Sequence, residues 1–218
     1  MGDLIINGGN IGLEVGNQQF TVRNVTINDA NIAVDMHWNW VWKFQGITIN
    51  RANIGFYVNA SAVGGNAIID AVVRDTPVFY QYYHITPGFH TSIVLNNVRA
   101  TNVATIVGTP DGETVLAGGA GDIYIDTWAQ GNVYSDHHFD GYTQDYIAPI
   151  SKSGSLLENG RIFGKGRPMY ADYDITQIVS VRDLGAKGDG ETDDTAALQE
   201  AFDRVCSDPF VVGLSHQV

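Results

Sequence analysis

Short apolar stretches with two-residue alternation recur along the first hundred residues. Asn10-Ile11-Gly12-Leu13 returns as Asn31-Ile32-Ala33-Val34 and as Asn53-Ile54-Gly55-Phe56, with weaker echoes at Pro77-Val78-Phe79 and Val103-Ala104. The steps are 21, 22, 24 and 26 residues. A second motif recurs inside each unit: Asn24-Val25-Thr26-Ile27, Gly46-Ile47-Thr48-Ile49, Ala67-Ile68-Ile69-Asp70 and Ser92-Ile93-Val94-Leu95. Each unit therefore holds two or three short strands. Alternation sends Leu13, Val15, Phe20, Val22, Val25 and Ile27 inward, and Glu14, Gln19, Arg23 and Thr26 outward. A unit this short cannot bury its own apolar face, but stacked units can, because each strand pairs with its equivalent in the next coil. The pattern predicts an all-β parallel β-helix from about Asn10 to Val107, with Ile11, Ile32 and Ile54 in one internal column. Asn at the corners suits left-handed backbone angles and side-chain ladders. The Leu-x-x-Leu-x-Leu spacing of leucine-rich repeats is absent. An antiparallel sandwich with regular turns is the alternative.

Beyond this region the pattern loosens. Thr114-Val115-Leu116-Ala117-Gly118-Gly119 and Asp122-Ile123-Tyr124-Ile125 read as further strands, and residues 149–178 as an irregular linker. The expected division is a first β-helix over 1–148, that linker, and a new domain opening over 179–218. In the last part, Thr192-Asp193-Asp194-Thr195 precedes an Ala-rich run. The expected helix starts at Thr192 or Asp193, with Thr192 as its cap and the two aspartates in its first turn.

Charge narrows the partners. Twelve Lys and Arg against 24 Asp and Glu leave a net charge of −12. Such a chain repels nucleic acid and dense polyanions, so a neutral polymer fits better. The lone Cys206 can form no disulfide within the chain, and nothing has the spacing of a zinc site. Asp189-Gly190-Glu191-Thr192-Asp193 lacks the glycine and the terminal glutamate of a calcium loop at the required spacing. The start, Met1-Gly2-Asp3-Leu4-Ile5-Ile6, is not a signal peptide, and no stretch is long and apolar enough to span a membrane.

The segment Val181-Arg182-Asp183-Leu184-Gly185-Ala186-Lys187-Gly188-Asp189-Gly190-Glu191-Thr192-Asp193-Asp194-Thr195 resembles the opening of pectate-lyase-type β-helix domains. Gly16-Asn17-Gln18-Gln19-Phe20-Thr21-Val22-Arg23-Asn24, Trp38-Asn39-Trp40-Val41-Trp42-Lys43-Phe44 and Gln130-Gly131-Asn132-Val133-Tyr134 resemble segments of fungal exo-β-1,3-glucanases, also called glucan 1,3-β-glucosidases. That family carries two such β-helices in tandem. The resemblance runs to about Cys206 and implies a right-handed, pectate-lyase-like β-helix followed by the opening cap segment of a second one. Both ends then look truncated, and Ser207 to Leu214 is expected to stop before any coil forms. The resemblance further implies inverting hydrolysis of β-1,3-glucan from a chain end, no cofactor, and a secreted, monomeric full protein.

In that family the general acid is a glutamate of the second β-helix, so no residue here is assignable as catalytic. The first β-helix is expected to contribute substrate-binding groups: Gln18 and Gln19, whose amides position hydroxyls without charge, Asn39, and Trp40. A corner ladder is the structural alternative for the glutamines. Trp38, Trp40 and Trp42 alternate, which on one strand makes a face of three indoles, more often core than platform. Lys43 stands where the family tends to a small hydroxyl residue. Glu14 and Asp35 fall at equivalent outward positions, at about the carboxylate separation of a retaining glycosidase, although a solvated ladder is the expected role. His137 and His138 read as loop. Pectate lyases need acidic calcium clusters with a basic residue and polygalacturonases a tight cluster of aspartates; neither is visible. A non-catalytic glycan-binding β-helix is the other competing function.

Overall fold

Strands that alternate with a repeat-long period pair with their own equivalents one repeat away. In the computed structural model, which describes all residues except 59–62, 84–91, 163, 165–172, 209–212 and 216–218, they do so. The strands are β1 (Gly2–Asn7), β2 (Ile11–Gly16), β3 (Gln19–Asn28), β4 (Ile32–Trp38), β5 (Val41–Asn50), β6 (Ile54–Val58), β7 (Gly65–Ile69), β8 (Val72–Arg74), β9 (Val78–Tyr82) and β10 (Ser92–Gly108). Along one side β2, β4, β6 and β9 pair in parallel, and along another β1, β3, β5, β7 and β10. Ile11 lies opposite Ile32, Ile32 opposite Ile54, and Ile54 opposite Val78. This is a parallel β-helix of about four turns.

The isoleucine column is in register but only half buried, not internal. The inward positions are the next ones along, and they are small for a reason. A Cβ on Gly12 would lie 2.7 Å from the Ala33 carbonyl and 2.9 Å from Ile27, and one on Gly55 would lie 2.5 Å from the Phe79 carbonyl. The core instead runs in columns through Val22, Phe44, Ile68 and Leu95, and through Val34, Phe56 and Tyr80. Each such side chain contributes roughly 1.5–3 kcal/mol by leaving water. Phe20, expected inside, is 37% exposed. β1 pairs β3 only from Arg23 onward, so no described coil covers Phe20 on that side, and it stacks on Trp42 at 5.1 Å between ring centroids.

Corners repeat as strictly as strands. Asp3, Asn24, Gly46, Asp70 and Asn97 all have positive φ, as do Gly8, Asp29, Arg51, Asp75 and Asn102. Asn and Asp reach this region at lower cost than other L-residues because their short polar side chains bond locally. Side-chain amides then climb the stack. Asn28 donates to Asn7 and Asn50 to Asn28, each at 2.8 Å; Asn31 donates to Asn10 at 3.0 Å and Asn53 to Asn31 at 2.8 Å.

After β10 the parallel order ends. β11 (Thr114–Ser135) runs back antiparallel along β10, and β12 (His138–Tyr146) returns antiparallel along β11. The two stretches read as separate strands, Thr114 to Gly119 and Asp122 to Ile125, are one. Asp136 and His137 both have positive φ and form the two-residue turn between β11 and β12, the role that accounts for this histidine.

The chain divides into two compact units, Met1–Lys165 and Gly166–Val218, so the expected linker is shared between them. In the first unit β13 (Leu157–Glu158) and β14 (Arg161–Ile162) form a small hairpin. The buried Asp70 carboxylate holds it, accepting from the Ile162 N–H at 3.0 Å and the Asn97 amide at 2.5 Å; Asn97 in turn donates to the Gly160 carbonyl. Phe163 and Arg167 to Tyr170, read as linker, lie outside the described residues, as do Pro209 to Val212.

In the second unit β15 (Ile178–Ser180) leads to a helix α1 (Thr195–Ser207), and β16 (Gly213–Ser215) pairs parallel with β15. This is a single pair of short parallel strands across a helix, not a coil of a β-helix. The helix starts later than expected. Asp194 holds the cap position, but its carboxylate accepts from the Lys187 and Gly188 N–H groups, while Asp193 accepts from Thr195. Two backbone donors of the glycine-rich turn satisfy the charge better than the helix's own amides. Thr192 is drawn to Asp189 instead. Ala197 and Ala201 pack on Val181 and Ala186.

Candidate functional site

The segments around Gln18 and Trp40 occupy one corner of the stack, where β2 turns into β3 and β4 into β5. The Trp42 indole N–H donates to the Asn17 carbonyl at 2.9 Å, and the Asn17 side chain accepts from the Gln18 N–H at 2.8 Å. The Gln18 carbonyl accepts from the N–H groups of Trp40, at 2.8 Å, and Val41, at 3.2 Å. The backbone of Gln18 is thus held on both sides while its side chain stays exposed.

The three tryptophans do not share a strand face, because the chain turns at Asn39. Trp42 is buried at 3%, whereas Trp38 and Trp40 are 40% and 60% exposed. A Cβ on Gly16 would lie 2.9 Å from the Trp38 ring, and one on Gly64 would lie 2.5 Å from the Trp40 carbonyl. Glycine at both positions lets the corner close up.

Asn39 points inward. It is 1% exposed, and its side-chain oxygen accepts from the Gly64 and Gly65 N–H groups at 2.9 and 3.3 Å. Its amide donates to Asn66 at 2.9 Å, and Asn66 donates to the buried Tyr80 hydroxyl at 2.6 Å. Burial, chiefly, pushes that phenol far above its ordinary range. A buried amide must find partners, and this one found them inside the fold rather than in solvent.

Gln19 is exposed at the start of β3 and, with Phe20, Thr21, Val41 and Lys43, lines an open groove of about 700 Å³ on the outer face of β3 and β5. Gln19 lies opposite Val41, and Thr21 opposite Lys43. Of these, Thr21 and Val41 were missed in the sequence; the outward alternation on the two strands was the signal that points to them. Among the described residues Lys43 has no ion pair.

A second polar cluster lies on β2 and β4. Glu14 is opposite Asp35, as expected, but the pair is not a solvated ladder. Asp35 is buried at 5% with Tyr57 opposite it on the next coil. The register slips between Val15 and Gly16, which leaves His37 as the extra residue of a bulge. The bulge turns its Nε2 to within 2.9 Å of a Glu14 carboxylate oxygen and 4.0 Å of Asp35. Burial, then the Tyr83 hydrogen bond and the nearby Tyr83 and Asp35 charges, raise the Tyr57 phenol above its ordinary value.

The comparisons with known proteins agree with this architecture. The family model for rhamnogalacturonase A/epimerase, pectate lyase-like, matches residues 1–57 and 178–213. The chain is 35% identical over 228 residues to a glucan 1,3-beta-glucosidase of Cochliobolus carbonum, covering 100% of this chain and 29% of that protein. It is 26% identical to a probable glucan endo-1,3-beta-glucosidase of Arthroderma benhamiae, over 97% of this chain and 35% of that one. It is 30% identical to the non-secreted LysM effector LysM19 of Penicillium expansum, over 93% of this chain and 17% of that one. The chain spans about a third or less of each of these relatives. In fold it is a parallel β-helix, and along its whole length it is similar to part of a fungal glucan 1,3-beta-glucosidase.

Proposed function

We propose that this chain is the first β-helix of a glycoside hydrolase that releases glucose from the ends of β-1,3-glucan by inversion. The observation that carries this reading is the Gln18–Gln19 corner, with exposed Trp40 beside an open groove in which Gln19 and Thr21 stand among Phe20, Val41 and Lys43. Amides donate to and accept from sugar hydroxyls, and an exposed indole packs on the apolar face of a sugar ring. Gln18, Gln19 and Trp40 are the binding residues of this proposal. Asn39 shapes the corner from beneath. In an inverting reaction one carboxylic acid protonates the leaving oxygen while a carboxylate activates water on the opposite face. Neither group comes from the described groove lining; the resemblance to exo-β-1,3-glucanases implies that the general acid is a glutamate of a second β-helix. Secretion and a monomeric state are part of the same proposal for the full protein.

Glucose release from laminarin, a soluble β-1,3-glucan, tests it. The 218-residue chain is expected to bind laminarin and release no glucose, because without a placed proton donor the rate falls about a hundredfold or more. Extension to a full second β-helix is expected to restore release. Robust release by the short chain, abolished by Glu14→Gln or Asp35→Asn, overturns the assignment and moves the chemistry to the His37 cluster. The same lack of a carboxyl in the groove favours a second reading, a glycan-binding β-helix without activity; it predicts binding unchanged by the extension and no glucose from either chain.

A further inference from the structure

Lys43 is the groove residue that a neutral ligand leaves unexplained. It is half-buried on the outer face of β5, between Thr21 on the coil before it and Ala67 on the coil after it. The chain holds twice as many acidic as basic residues, and Arg51 and Arg204 are paired with Asp29 and Glu200. Lys43, like most of the described cations, has no ion pair; its place in the groove, half-buried beside Gln19 and Thr21, sets it apart. Partial burial strips an ammonium of some of its water, and an opposing charge repays that cost best. Resting on the glucan reading above, we infer that Lys43 is a specificity residue, which selects glucan chains carrying an occasional uronic-acid carboxylate.

Three considerations point the same way. Gln19 and Thr21 beside Lys43 supply the neutral donors and acceptors that a sugar ring needs around its carboxylate. Hydrolysis of a glycoside builds positive charge on the sugar, which a fixed cation opposes; a carboxylate on that sugar neutralises the cation. The net charge of −12 repels a dense polyanion, but screening over about 8 Å at physiological salt leaves Lys43 to act locally. The fitting ligand is therefore a largely neutral polymer with sparse acid groups, not a polyuronate.

The test compares two probes by titration calorimetry on the full chain: laminarin, and laminarin lightly oxidised at its primary hydroxyls to glucuronate. The wild type is expected to bind the oxidised polymer about tenfold more tightly at physiological salt. That preference shrinks as salt is raised, because the pair is partly exposed. Lys43→Thr is expected to abolish the preference while leaving laminarin affinity within about twofold, and Lys43→Arg to keep it. Fluorescence melting of each variant checks the fold, since an outward residue of a paired strand can change without disturbing the core. Equal wild-type affinity for both polymers, or a preference that survives Lys43→Thr, overturns the inference and leaves the glucan reading intact. Binding of neither polymer overturns that reading, and the inference with it.

Discussion

Replacing Asn39 by alanine separates a residue that builds the corner from one that holds a sugar. The substitution leaves two buried groups unpaired: the Gly65 N–H and the side-chain oxygen of Asn66. The Gly64 N–H keeps the Asn39 backbone carbonyl at 2.9 Å and suffers less. A stranded buried polar group costs about 1–3 kcal/mol, so the pair costs about 3 kcal/mol, given the long 3.3 Å bond to Gly65. All four tryptophans, Trp38, Trp40, Trp42 and Trp128, lie in the unit Met1–Lys165, so indole fluorescence during urea unfolding reports that unit alone. The midpoint is expected to fall with little change in slope. Asn66→Ala is expected to cost a similar amount, and the double variant less than the sum, because both mutations cut one network. An unchanged midpoint for Asn39→Ala, together with lost laminarin binding, would refute this account and return Asn39 to the substrate.

Asp70→Ala removes the carboxylate that holds the β13–β14 hairpin and puts an alanine at a φ of 58°. It is expected to cost about 3 kcal/mol by the same fluorescence assay and to speed hydrogen exchange at the Ile162 amide, whereas Asp70→Asn costs less because it keeps the left-handed preference. In the second unit, the N–H groups of Thr192 and then Glu191, followed by the Thr192 hydroxyl, hold the Asp189 carboxyl below its ordinary value of 3.8. A depressed carboxyl stabilises the fold fully above that value, and the contribution disappears as pH falls through the still lower folded pKa. The Thr192 amide resonance should therefore stay flat from neutrality down to about 4 and move only below. Asp189→Asn should remove that movement.

The two-residue alternation and the repeat length determine much of this protein. They favour parallel pairing, because stacking each strand on its own equivalent lets units so short bury their apolar faces. They also fix which residues stack, down to the asparagine ladders at 7, 28 and 50 and at 10, 31 and 53. Alternation alone could not say which of two neighbouring apolar positions faces in. Ile11 and Gly12 are both apolar, and only the structure shows that a Cβ on Gly12 would meet the Ala33 carbonyl at 2.7 Å and Ile27 at 2.9 Å, while Ile11 sits half-buried. The site was legible as a stretch of chain but not as a set of directions. Gln18, Gln19 and Trp40 emerge on the surface of the corner, while Asn39, between two exposed tryptophans, turns inward to cap the Gly64 and Gly65 amides. His37 reaches Glu14 because a one-residue bulge breaks the register there. Bends, bulges and corners are decided by contacts one coil away, more than twenty residues distant in sequence, and so belong to the tertiary structure.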